Sequence, residues 1–149
     1  MTAGSVADHG LDTAFLAAWT APAQVRMQLS LRLASWGMSG ITEDVALIAS
    51  ELVTNAVRHA GEGEVRVRFT REAHGVLLEV WDACDRRPVR RREAGTPSAE
   101  RPLDAAGPDP GDDDGMGGRG LLIVERLAVE CGVVPTDPHG KWVWARVAV

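Results

Sequence analysis

The chain has 149 residues, of which 45% are hydrophobic and 25% are charged, a composition typical of one soluble globular domain rather than of a disordered or fibrous chain. Its formal net charge of -5, with no long Lys/Arg-rich face, argues against direct nucleic-acid binding, and no apolar run is long enough to cross a membrane. Cys84 and Cys131 fit neither a metal-binding pattern nor a disulfide framework, so we expect two reduced thiols in a cytoplasmic protein.

The first 60 residues predict a loose tail, a short strand and two helices. Residues 1–11 are small and polar, and the apolar run 14–19 is a candidate edge strand. Pro22 suits the first turn of a helix whose apolar residues recur every three or four positions until Gly37. Thr42, followed by two acidic residues, predicts the start of a second helix that runs to about residue 60.

A hairpin and a long loop follow. "EVRVRFTR" alternates apolar and charged residues, and "GVLLEVWD" comes after a short polar turn, so the two segments predict antiparallel strands. Residues 83–114 are rich in proline and charge and predict a long loop, either a lid over a binding site or an insertion without a role. The basic block "RRPVRRR" in it could contact phosphates, although a solvated charge run is the favoured interpretation.

The last segment predicts a helix and two strands. "GRGLLIVERLAVECG" is opened by glycines and closed by Gly132, with Cys131 on its apolar face. Short strands are expected around Val133 and over residues 142–149, joined by a turn at His139 and Gly140.

A polar stripe in the second helix is the first candidate site. In "ELVTNAVRHA", a helical wheel places Glu51, Asn55 and Arg58 along the flank of the apolar face. A solvated helix surface explains Glu and Arg there equally well. Asn55 is a poor residue for the middle of a helix, because its amide competes for backbone hydrogen bonds, so a ligand or metal would justify it.

Two further features could bind a ligand. Asp82 ends an apolar strand, where its carboxylate could accept hydrogen bonds from an amino group or could simply cap a turn. "GMGGRGLL" places four glycines just ahead of a helix, which suits a phosphate but also suits a flexible hinge. It is neither a Walker loop nor a Rossmann fingerprint.

Taken in order, the helix with Glu and Asn four apart, the strand ending in Asp, the long loop and the glycine-led helix resemble the ATP-binding domain of the GHKL superfamily, which includes gyrase and the histidine kinases. The resemblance covers about residues 12–149 and is nearest to the bacterial anti-sigma-factor serine/threonine kinases. It implies one domain over residues 1–149 with a lid at 83–114. The implied fold is a two-layer α/β (α+β) sandwich of the Bergerat type, in which helices cover one face of a mixed, mostly antiparallel sheet.

The resemblance also implies roles for individual residues. Asn55 would bind the Mg²⁺ that bridges the ATP phosphates, and Asp82 would accept the adenine amino group. Glu51 would be the catalytic residue, acting as general base or orienting the attacking hydroxyl. The remaining nucleotide-binding candidates line the rim of the pocket or surround the phosphates, and Arg119 in particular would reach the γ-phosphate; they are Arg58, His59, Gly117, Gly118, Arg119, Gly120 and Leu121.

The implied function is regulation of transcription through protein partners. Kinases of this branch phosphorylate an anti-anti-sigma factor, sequester a sigma factor and often form homodimers. Cys84 stands where relatives often have Gly, and Trp142 where they often have a Thr that helps to hold the base, so ATP binding is better supported than efficient catalysis. A nucleotide-gated binding module with little kinase activity is the alternative, and a detached histidine kinase domain is less favoured.

Overall fold

The computed structural model describes residues 10–60, 63–85 and 116–149, and for residues 116–121 it describes the backbone alone. Within these ranges, five strands and three α-helices follow one another along the chain. They are β1 (Leu11–Leu16), α1 (Ala21–Ser35), α2 (Thr42–Ala60), β2 (Glu64–Glu72), β3 (Gly75–Asp82), α3 (Met116–Leu127), β4 (Glu130–Pro135) and β5 (Lys141–Ala148), with a 3₁₀ turn at Ser39–Ile41 before α2.

The strands form one sheet in the order β1-β2-β3-β5-β4, and every neighbouring pair is antiparallel. Alternate residues of β2 and β3 are buried because they lie under the helices, as expected for a sheet covered on one face. These residues are Val65, Val67, Phe69, Val76, Leu78 and Val80. The predicted two-layer α/β class is confirmed, and the described sheet is antiparallel throughout.

Helix α1 has the predicted ends. Proline lies in its first turn, and Gly37, with φ of 75°, terminates it. The N–H of Met38 donates to the carbonyl of Leu33 and the N–H of Gly37 to that of Ala34, which is the Schellman arrangement of a helix C-terminus. A residue with positive φ is needed there, and glycine adopts that conformation without a Cβ clash.

Helix α2 also has the predicted bounds, and it lies at the centre of the helical layer. It contacts α1, α3 and the strands β2, β3 and β5. The apolar face expected from the wheel is buried, together with two further valines; these residues are Val45, Ile48, Ala49, Leu52, Val53, Ala56 and Val57. None of the helices in the described residues is long and apolar enough to span a membrane.

Two predicted elements differ from the structure. The helix expected to continue to Gly132 ends at Leu127, and the segment after it is strand β4, so Cys131 is exposed on a strand rather than packed on a helix. The N–H of Val129 donates to the carbonyl of Arg146, which starts the pairing with β5. A short apolar run is compatible with a helix or with a strand, so the availability of a neighbouring strand to pair with decides which one forms.

The first strand is also shifted from its expected place. The prediction was residues 14–19, whereas β1 is Leu11–Leu16 and lies at the edge of the sheet as expected. Its register, from Leu11 opposite Phe69 to Leu16 opposite Glu64, is set by β2 rather than by its own composition. The expected tail at residues 1–11 and the expected lid at 83–114 fall largely outside the described residues.

Candidate nucleotide-binding site

The polar stripe of α2 lies where the helical wheel places it. Glu51, Asn55 and Arg58 are partly buried along the flank of the helix, and His59 is exposed. The other flank of α2 faces α1, since Ser50 accepts a hydrogen bond of 2.9 Å from Arg26. At 100° per residue, Asn55 is about 140° around the helix from Ser50. Asn55, the residue of the stripe that is farthest around the helix from Ser50, therefore lies away from α1.

The Glu51 carboxyl group has an altered acidity. Burial raises the pKa of Glu51 above its ordinary value, and the positive charge of Arg58 partly opposes this rise. A carboxylate with a raised pKa is a stronger proton acceptor near neutral pH, which suits a general base.

Asp82 ends β3 in the interior of the protein and is 3% exposed. Its Oδ1 accepts two hydrogen bonds of 2.8 Å, one from the ammonium group of Lys141 and one from the N–H of Cys84. Lys141 also donates to the carbonyl of Cys84 at 2.9 Å. The carboxylate predicted to contact adenine is thus held in one orientation by an ion pair.

The adjoining ends of β3 and β5 are joined by three further contacts. The N–H of Gly140 donates to Asp85 at 2.8 Å, the indole of Trp81 donates to Thr136 at 3.0 Å, and the ring of Trp81 lies beside that of His139. These contacts fix the backbone around Asp82 and Lys141, so the position of the ion pair is set by the sheet.

The glycine motif lies at the N-terminus of α3. Helix α3 begins at Met116, so Gly117, Gly118 and Gly120 are in its first turns rather than ahead of it as predicted. The first N–H groups of a helix have no partner within the helix and attract anions. The side chains of Arg119 and Leu121, and all of Gly115, lie outside what the structure describes.

A sequence model of the histidine kinase-like ATPase domain matches residues 15–147, nearly the whole chain. The chain belongs to this family. No curated protein matched it.

Membership of the histidine kinase-like ATPase family supports ATP binding and, at a coarse level, ATP-dependent phosphotransfer. The residues present fit such a ligand. The buried Asp82 at the end of β3 could accept from the base, and the start of α3 carries backbone donors for phosphates. Asn55 supplies an amide oxygen, a ligand type that suits Mg²⁺.

Within residues 10–60, 63–85 and 116–149, no group of three or more His, Cys, Asp and Glu side chains could hold a metal ion. Mg²⁺ usually keeps several waters and takes one or two protein ligands plus substrate phosphates, so Asn55 remains the predicted protein ligand.

Lys141 was not among the residues predicted from the sequence, which singled out its neighbour Trp142. Trp142 is paired with Trp81 and lies on the face of the sheet opposite the helices, with the guanidinium of Arg68 4.2 Å from its ring centre. Lys141, one residue earlier, lies beside Asp82 on the helix side. The signal was the alternation of β5, which places Lys141 on the same face as the buried Ala145 and Val147.

Proposed function

We propose that this ATPase-family protein is an anti-sigma regulator that acts as a protein serine/threonine kinase. It phosphorylates an anti-anti-sigma partner and, in its other state, sequesters a sigma factor. The observation that carries the proposal is the pairing of Glu51 and Asn55 one turn apart on a partly buried flank of α2, with the pKa of Glu51 raised by burial. A general base and a metal-binding amide are what transfer from ATP to a hydroxyl group needs.

In the proposed reaction each residue has a separate task. ATP would supply the γ-phosphoryl group and leave as ADP, and Mg²⁺ would neutralise charge on the phosphates. Asn55 would hold the metal, and Glu51 would accept the proton of the attacking serine or threonine hydroxyl. The first turn of α3 donates backbone hydrogen bonds to phosphate oxygens, and Arg119 adds a positive charge at the γ-phosphate. Phosphoryl transfer depends mainly on positioning and charge stabilisation, so this small set of groups is sufficient.

Calorimetry with ATP and Mg²⁺ tests the nucleotide site. We expect binding in the low to middle micromolar range, about -7 kcal/mol, and no measurable binding by Asn55→Ala. Thr54→Ala is the matched control, because Thr54 is the neighbouring residue of the same helix and is also partly buried. Equal affinities for wild type and Asn55→Ala would refute the proposed role of α2.

Transfer of labelled phosphate from ATP to candidate anti-anti-sigma proteins tests the kinase activity. Glu51→Gln keeps the size of the side chain but removes the base, so it should bind ATP and fail to transfer phosphate. A wild-type protein that binds ATP but phosphorylates none of the candidates would instead support the nucleotide-gated binding module. Pull-downs from the native cytoplasm, in ATP and again in ADP, would identify the protein partners in each state.

A further inference from the structure

Asp82 and Lys141 are the buried charged residues of the described part of the chain, at 3% and 4% exposed. Removing two ions from water costs several kcal/mol for each ion, and their mutual attraction often does no more than offset that cost. A pair of apolar residues would fill the same space with less risk to stability. A buried ion pair at the end of a sheet whose other buried side chains are valine, leucine, phenylalanine and alanine therefore points to a requirement other than stability.

The hydrogen bonds of the pair leave it with unused capacity. An ammonium group has three protons, and the described bonds of Lys141 use two of them, on Asp82 Oδ1 and on the carbonyl of Cys84. Both described bonds to the carboxylate of Asp82 go to Oδ1, so Oδ2 keeps its acceptor sites. The pair thus offers one donor and one acceptor side by side.

This arrangement complements one purine better than the other. The edge of adenine presents the 6-amino donor next to the N1 acceptor, whereas guanine presents the O6 acceptor next to the N1–H donor. Oδ2 of Asp82 and the third proton of Lys141 match the adenine order. A guanine placed in the same way would set O6 against the carboxylate and N1–H against the ammonium group, and each contact would leave a buried polar group without a partner.

We propose that Lys141 is a base-specificity residue that donates a hydrogen bond to N1 of adenine while Asp82 accepts from the 6-amino group. This inference rests on the proposed binding of ATP and extends it by assigning a second residue to recognition of the base. The contact to Cys84 gives Lys141 a fixed direction, because the carbonyl and the carboxylate together hold two of its three protons. A preorganised donor loses little freedom when the nucleotide binds.

The deciding experiment compares the binding of ATP and of one analogue to the unmodified chain. In 1-deaza-ATP a C–H group replaces N1, so the analogue keeps the amino group and the phosphates but cannot accept from Lys141. We expect calorimetry to show binding weaker than that of ATP by about tenfold or more, since a hydrogen bond to a charged donor is lost. The control is 7-deaza-ATP, which keeps N1 and the amino group and should bind as ATP does.

The variant Lys141→Met tests whether the weaker binding of 1-deaza-ATP is due to Lys141. Methionine has a similar length and no donor, so ATP should bind the variant about tenfold more weakly than wild type, and 1-deaza-ATP should bind it as well as ATP does. Circular dichroism checks that the variant is folded. If it is not, the comparison of ATP with 1-deaza-ATP on the wild-type protein still tests the inference.

Three results would overturn the inference. If wild type binds ATP and 1-deaza-ATP equally, or if Lys141→Met still discriminates between them by the wild-type factor, Lys141 does not contact N1, and the proposed ATP site remains. If wild type binds none of the three nucleotides, both this inference and the proposed function fail.

Discussion

Arg58 lies about two turns after Glu51 on the same flank of α2, and its positive charge opposes the rise that burial causes in the pKa of the Glu51 carboxyl. The two effects act on one proton. Burial favours the neutral carboxyl group, and Arg58 favours the carboxylate that a general base requires. Because burial has the larger effect, the net result is a carboxyl group that holds its proton to a higher pH than an exposed glutamate does.

The raised pKa of Glu51 predicts how stability varies with pH. The folded protein binds this proton more tightly than the unfolded chain, so the contribution of Glu51 to the free energy of unfolding falls as pH rises from 4.5 through the higher folded pKa. Glu51→Gln removes this dependence, and its stability should exceed that of wild type above that window. Urea unfolding between about pH 4 and about pH 8 measures the difference. Glu64→Gln, at an exposed site, is the control and should follow the wild-type curve.

Removing Arg58 should move the Glu51 titration further. In Arg58→Gln the opposing charge is lost, so the pKa of Glu51 rises above its value in wild type. An NMR titration that follows the Glu51 side-chain carboxyl carbon would show the midpoint at higher pH. An unchanged or lower midpoint would mean that Arg58 does not act on this carboxyl group.

The Asp82–Lys141 pair predicts a strong non-additivity of mutations. Asp82→Leu leaves a buried ammonium group and Lys141→Met leaves a buried carboxylate, so each change should cost about 3–5 kcal/mol of unfolding free energy. The double variant leaves neither, and it should be more stable than either single variant. Chemical denaturation of wild type, the two single variants and the double variant gives the four unfolding free energies of a double-mutant cycle. Costs that simply add would show that the two groups do not interact.

Two glycines with positive φ predict different costs for the same substitution. At Gly37, with φ of 75°, an added Cβ meets nothing within 4 Å, so Gly37→Ala should lose about 1 kcal/mol from backbone strain alone. At Gly140, with φ of 90°, the Cβ would lie 2.5 Å from the ring of Trp81. Gly140→Ala should therefore lose about 1–3 kcal/mol more than Gly37→Ala. Similar denaturation midpoints for the two variants would contradict this.

Local signals determined the elements that were predicted correctly. Helix α1 is bounded by Pro22 and by Gly37, helix α2 begins at Thr42 with acidic residues after it, and the alternation of β2 and β3 marks a hairpin. In each of these elements the side chains favour the observed backbone conformation through neighbours only a few residues away. The polar stripe with Glu51 and Asn55 follows from the same helical period, so its place on α2 could be predicted from the sequence.

Tertiary structure decided what those signals left open. Residues 130–135 become a strand because β5 offers them backbone partners, and β1 takes its bounds from its register with β2. Asp82 and Lys141 are 59 residues apart, and they meet because β5 lies beside β3 rather than at the edge of the sheet. The sequence by itself determined where the polar stripe of α2 lies. The partner of Asp82 was decided by strand order and register, which depend on burial of the whole sheet rather than on any local pattern.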